Sequence, residues 1–218
     1  MRKNKTFLIS GILAIMLSAI ITGKGLGQEK YNAMNNIEAF TQNMQQASER
    51  TSSISSDFVQ YKHLSFLEED VESKGVFYFK KKDKLRWEYT SPFYYLIIFR
   101  GDTVLIQDDN KTNIYDASSG RMFREINNIM LSMVDGSILE SDNFSTAYFE
   151  NDEYYILELI PQAKNMKDFL TGIRIFVDKN DYSADELLML ERSGDYTHIR
   201  FLNKRLNEDI QGYIFDLH

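Results

Sequence analysis

The stretch Val71–Pro92, VESKGVFYFKKKDKLRWEYTSP, decides how the rest of the chain reads. Leu85, Trp87 and Tyr89 alternate with Lys84, Arg86 and Glu88. Successive side chains on a strand point to opposite faces, so this run has one apolar and one charged face. The run before it, Val76, Phe77, Tyr78 and Phe79, is apolar on both faces. A strand of that kind has apolar cover on each side. Lys80, Lys81, Lys82 and Asp83 connect the two strands. Pro92 ends the second, because proline cannot donate to a strand ladder. On residue pattern alone this is a hairpin in a β core, its aromatic stripe filling an interior.

The same alternation runs outward from the hairpin. Ile54–Leu64 reads as a preceding strand and Tyr94–Phe99 as a following one, with Arg100-Gly101-Asp102 as a tight turn. Val104–Gln107 and Asn113–Asp116 continue the meander across the turn Asp108–Lys111. Later strands are Ser145–Glu150, Tyr154–Ile160 (ended by Pro161), Ile173–Val177, Leu187–Glu191, Tyr196–Leu202 and a short one at Tyr213–Phe215. About eleven strands at regular spacing predict an antiparallel sheet curling into a barrel or half-barrel, a mainly β (α+β) fold. Helical periodicity occurs twice. In Gln28–Ser52 the stripe is Tyr31, Met34, Ile37, Phe40, Met44 and Ala47. In Ser118–Asp135 it is Met122, Ile126, Ile129, Met130 and Met133. Methionine adapts to variable apolar shapes, although Met-rich helix faces usually pack in cores.

At the N-terminus Arg2, Lys3 and Lys5 precede the apolar run Phe7–Ile21 and a small-residue segment, Thr22–Gly27. That is the pattern of a secretory signal peptide over residues 1–27, leaving 28–218 as one exported domain. Removing Arg2, Lys3, Lys5 and Lys24 takes the formal charge from −7 to −11. An acidic chain of that kind is a poor partner for nucleic acid or anionic membrane surfaces.

Chemistry is sparse. The absence of cysteine excludes a thiol nucleophile and a thiolate metal site. His63, His198 and His218 fall in no ligand or catalytic spacing. Neither a Gly-x-Ser-x-Gly elbow nor a phosphate-binding glycine loop occurs. Asp178-x-Asn180 begins like a calcium loop, but Tyr182 and Ser183 stand where a ligand and a glycine belong. The expectation is no enzyme, no metal and no cofactor.

Gly75 leading an aromatic strand, then KDKLRWEYTSP, resembles the signature of the LolA family of periplasmic lipoprotein carriers. Ser55-Ser56-Asp57-Phe58-Val59-Gln60 resembles the family's first strand, and the Gly-Asp turn after the proline-ended strand matches as well. The resemblance covers essentially all of the chain after residue 27. It implies a monomeric periplasmic carrier whose half-barrel, capped by helices, encloses a greasy hollow wide enough for hydrocarbon tails. Its partners would be acylated lipoproteins, an inner-membrane lipoprotein-releasing transporter and an outer-membrane acceptor. The lining would be Phe58, Phe77, Phe79, Leu85, Trp87, Tyr89, Leu96 and Ile98. The lid would be Ile37 and Phe40 with Ile126, Ile129 and Met130. A basic residue in the turn before the Leu-Arg-Trp strand latches the lid in the family, which here implies Lys81 or Lys82. Some relatives have Arg followed by Pro at that point, and a lysine cannot reproduce the arginine fork. The alternative is a related module that senses lipids or lipoproteins in envelope stress signalling.

Overall fold

Short turns between amphipathic strands leave each strand no nearer partner than its neighbour in sequence, and the sheet is built from such hairpins. The computed structural model describes residues 31–81, 83–116, 131–132 and 137–216. The strands are β1 (Asn32–Ala33), β2 (Ser53–His63), β3 (Val71–Lys80), β4 (Lys84–Ser91), β5 (Tyr95–Arg100), β6 (Thr103–Asp108) and β7 (Thr112–Asp116). They continue with β8 (Phe144–Glu150), β9 (Tyr154–Pro161), β10 (Leu170–Asp178), β11 (Ala184–Glu191) and β12 (Tyr196–Leu206). Helix α1 spans Ile37–Arg50 and the single turn α2 spans Lys164–Lys167. All twelve strands form one sheet in the order β1-β8-β9-β10-β11-β12-β2-β3-β4-β5-β6-β7. Every pairing is antiparallel. The edge strands β1 and β7 do not pair with each other, so the sheet stays an incomplete barrel.

Register follows the alternation. Phe77 of β3 stands opposite Trp87 of β4, and Phe79 opposite Leu85. These side chains share the inner face with Phe58, Phe99, Val104, Leu157, Leu159, Ile175, Leu187 and Ile199 in one buried cluster. Gly75 pairs with Phe58 on one side and Tyr89 on the other. A Cβ at this position would stand 1.9 Å from the Glu88 carbonyl oxygen and 2.6 Å from Cζ of Phe58. The Phe58 ring therefore occupies the space that a side chain at residue 75 would need.

The outer face of β3–β6 has its own cover. Leu96, Ile98 and Leu105 form a second buried cluster with Ile210 and Phe215. The terminal segment is not a strand, as expected from Tyr213 and Phe215, but a 3-10 turn over Gly212–Phe215. Basic residues of the sheet hold it down. Lys80 Nζ donates to the Ile210 carbonyl at 2.6 Å and Arg86 Nη1 to the Ile214 carbonyl at 3.0 Å. Arg100 pairs with Asp216 at 3.5 Å. This explains the apolar second face of β3: Tyr78 packs beneath the segment.

Helix α1 is shorter than its hydrophobic stripe. Asn36 caps it, its Oδ1 accepting from the Ala39 N–H at 3.0 Å. Residues before the cap instead form β1, where Asn32 pairs with Glu150 and Ala33 with Phe149. The signal peptide expected over residues 1–27 and most of the helix expected at Ser118–Asp135 lie outside the described residues; Leu131–Ser132 of the latter are helical.

Two outcomes follow. Gly75→Ala forces the Phe58 ring or strand β4 aside and lowers stability by about 3 kcal/mol. In a domain of this size that is a fall in Tm of roughly 6–12 °C by calorimetry. Arg86→Met releases the Ile214 carbonyl, and limited proteolysis of the variant cleaves first within residues 207–216.

Candidate functional site

The inner aromatic face is assembled by strands adjacent in space. Phe58, Trp87 and Phe77 form a chain of rings, with centroids 4.7 Å apart for Phe58–Trp87 and 5.4 Å for Phe77–Trp87. Phe201 of β12 closes the group at 5.7 Å from Phe77 and 5.9 Å from Trp87. Tyr89 stands edge-on to Phe58 at 5.1 Å and donates its hydroxyl hydrogen to Gln60 Oε1 at 2.9 Å. Of the sequence-derived lining, Phe58, Phe77, Phe79, Leu85 and Trp87 are buried together, with Tyr89 partly buried beside them.

Leu96 and Ile98 do not join this lining. They lie on the outer face under Ile210 and Phe215. The β4–β5 register sets Ile97 opposite Trp87 and Phe99 opposite Leu85, so these alternate residues take the inner positions. Phe201, Ile97 and Phe99 are members of the face that the sequence reading missed. Residues 96–99 are all apolar, so alternation within β5 alone does not mark Ile97 and Phe99 as the inner pair.

Helix α1 roofs the face. Phe40 and Met44, four residues apart, are its buried side chains. Phe40 rests among Tyr148, Tyr155 and Tyr182, at centroid distances of 6.3, 4.8 and 6.3 Å. Burial raises the phenol pKa values of Tyr148 and Tyr155, which keeps this seat uncharged. Ile37, expected in the lid, is 43% exposed at the first helical position; Met34, before the cap, is buried in its place. Ile126, Ile129 and Met130 lie outside the described residues.

Both ends of the roof are tied by polar contacts. At the C-terminal end Lys81 Nζ donates to the carbonyls of Ser48 at 3.0 Å and Glu49 at 2.6 Å. Unpaired carbonyls and the negative end of the helix dipole both favour a cation there. Lys82, the other latch candidate, lies outside the described residues. At the N-terminal end Glu150 accepts from the Asn35 N–H and from Lys179 Nζ, each at 3.0 Å. The Asn35 N–H first, and then Lys179, hold the Glu150 carboxyl below its ordinary pKa of 4.5. A depressed carboxyl stabilises the fold fully above its unfolded value, and the contribution is lost as pH falls through the folded one.

The hollow left beneath the roof is about 50 Å³. It lies under the C-terminal half of α1, between Met44, Ala47 and Ser48 above and Ile54, Phe77 and Phe201 below. This corrects the expectation of a hollow wide enough for hydrocarbon tails. On the same measure a water-sized group needs about 10–15 Å³, so the hollow has room for roughly three to five such groups, against the ~15 methylenes of one acyl chain. The aromatics fill most of their own interior while α1 is down.

Elsewhere polar groups are satisfied within the surface. His63 bonds Asp70 at 2.8 Å and stacks on Tyr196, and His198 bonds Glu186 at 2.7 Å. The Asp178 carboxylate accepts from the Asn180 N–H at 2.6 Å, a turn-closing bond. Among the described residues no group of three or more His, Asp or Glu is placed to hold a metal.

Lys81→Met frees the last carbonyls of α1, and amide exchange within Ser48–Thr51 accelerates about five-fold, the equivalent of one hydrogen bond. Glu150→Gln removes the acid dependence of the other end: in the native protein the protection of β1 and α1 against amide exchange falls before that of the rest of the sheet as pH drops below 4.5, whereas in the variant their protection relative to the intrinsic exchange rate no longer changes with pH.

The family model described as outer membrane lipoprotein carrier protein LolA matches residues 49–218. An outer-membrane lipoprotein carrier protein of Methylococcus capsulatus is 25% identical over 150 residues, which is 66% of this chain and 66% of the relative. Among solved structures, an uncharacterized conserved protein from Thermus thermophilus superposes with a TM-score of 0.50 at 7% identity, over 83% of this chain and 92% of that one. The Pseudomonas aeruginosa MucA/MucB complex gives 0.50 at 12% identity, over 83% of this chain and 60% of that one. These structural likenesses concern the fold. The matched family model spans everything from the end of α1 to the C-terminus, including the roofed aromatic face, and the chain belongs to the LolA outer membrane lipoprotein carrier family.

Proposed function

We propose that this protein is a periplasmic carrier that takes up the acyl chains of lipoproteins on its inner aromatic face and shuttles them from the inner to the outer membrane. Residues 1–27 direct export and 28–218 are the carrier domain. A lipoprotein-releasing transporter in the inner membrane loads it and an outer-membrane acceptor unloads it. The observation that carries this reading is the roof. Among the described residues, a continuous buried aromatic face is covered by a helix contributing two buried side chains, Phe40 and Met44, and tied at its ends by Lys81 and Glu150.

Magnitudes favour exchange of roof for cargo. Lifting Phe40 and Met44 into water costs about 3–6 kcal/mol. One acyl chain of ~15 methylenes gains about 12 kcal/mol on leaving water. Cargo therefore displaces the roof, and the roof's own affinity for the empty face lowers net retention and assists release. The same face would serve a lipoprotein-sensing module, and the cargo state of the protein in its own compartment separates the two roles.

Native mass spectrometry of protein isolated from that compartment finds a substantial fraction bound to acylated polypeptide. Consistently empty protein contradicts carriage. Trp87→Glu places a carboxylate in the middle of the face and lowers lipoprotein uptake at least about ten-fold; a folded variant with unimpaired uptake removes Trp87 from the lining.

A further inference from the structure

Strand β2 presents Ile54, Ser56, Phe58 and Gln60 in turn to the inner face, so one hydroxyl interrupts an apolar row. Ser56 is 6% exposed, lines the hollow under α1, and its Oγ has no hydrogen-bond partner. A buried hydroxyl without a partner is destabilising, so alanine would suit a purely structural role better. The surroundings supply a reason for the hydroxyl. Opposite Ser56, strand β12 carries an irregularity between Leu202 and Arg205, with Asn203 at a φ of 54°. Lys204, in that irregularity, lines the same hollow. Its ammonium bonds Asp185 and Ser183 and stands 3.8 Å from Asp181. The hollow thus runs from apolar rings at Phe77 and Phe201, past one unpaired hydroxyl, to a charged rim.

That gradient is the gradient of an acyl ester: hydrocarbon, carbonyl, then a polar headgroup. We propose that Ser56 is the subsite for the ester carbonyl of the bound acyl chain, its hydroxyl donating to the carbonyl oxygen once α1 has lifted. The tail then lies along Phe58 and Trp87, and the peptide-bearing end leaves past Lys204 and Asp181. This rests on the carrier reading and fixes the direction in which cargo lies. Ester-linked chains occur on lipoproteins and on free glycerides, and the proposal assigns the site to the former.

The test compares a diacylated peptide in ester and ether forms, the ether lacking the carbonyl, with dioleoylglycerol and its diether in parallel. Binding is measured to the full mature chain and to Ser56→Ala and Ser55→Ala. Ser55 is equally buried and also lacks a partner, but adjacent residues of β2 face opposite sides, so its hydroxyl is turned away from the inner face. The expected result is an ester preference of about five-fold for the peptide, the equivalent of one hydrogen bond. That preference is abolished in Ser56→Ala and intact in Ser55→Ala, with ether binding unchanged in both. Equal binding of ester and ether by the native protein, or a preference that survives Ser56→Ala, overturns the subsite while leaving the carrier reading intact. A preference confined to the free glyceride overturns its assignment to lipoproteins. Failure of every lipid to bind overturns both readings.

Discussion

A twelve-stranded sheet exposes one face that no second sheet covers, and a fourteen-residue helix is what stands between much of that face and water. That constraint organises the molecule. A closed barrel or a sandwich buries its apolar positions permanently, because the opposing layer is held by ladder hydrogen bonds or by an extensive core. Here, among the described residues, the opposing layer is α1, entered through the two-residue strand β1 and left through Thr51 and Ser52, joined by Leu131 and Ile138, which pack into the same buried cluster. The outer face of β3–β6 is treated differently. Its cover, Ile210–Phe215, buries Phe215 completely and is tied at Lys80, Arg86 and Arg100. One face of the central hairpin is covered by the C-terminal segment and the other by α1, tied at Lys81 and Glu150.

The β3–β4 turn sits at the junction of the two covers. Lys80 reaches the C-terminal segment and its neighbour Lys81 reaches the end of α1, because adjacent strand residues point to opposite faces. Asn207, just after β12, accepts from the Ser52 N–H at 2.7 Å where α1 runs into β2. The pivot end of the roof is thereby held to the most heavily paired part of the sheet.

The hairpin and the antiparallel order were legible in the sequence, since alternation and short turns determine them almost alone; that pattern fits a closed barrel and a half-barrel equally, and the family resemblance alone pointed to the open edge. The placement of Phe58, Phe77, Phe79, Leu85 and Trp87 on one face followed from the same rule. The rule misled at Leu96 and Ile98 because β5 is apolar at every position from Leu96 to Phe99. A uniformly apolar strand does not say which side is inside. The deciding partner, Phe215, is more than a hundred residues away and reads locally as the end of a strand. The helix boundary was missed because Tyr31 and Met34 continue the stripe of α1, while the Asn36 cap and the pairing of Asn32 with Glu150 depend on contacts across the chain. The size of the hollow was not legible at all. Whether aromatic rings enclose space or fill it depends on how far one helix descends.

The account stands on α1 leaving the sheet when hydrocarbon arrives. Spin labels at Gln42 on the roof and Asp102 in the β5–β6 turn, both exposed positions, report that separation directly. Pulsed electron-electron resonance on the empty protein gives one narrow distance distribution, and saturation with a diacylated peptide moves it to a longer, broader one. An unchanged distribution in protein shown to hold the peptide contradicts a lifting roof and places the acyl chains somewhere other than the inner aromatic face.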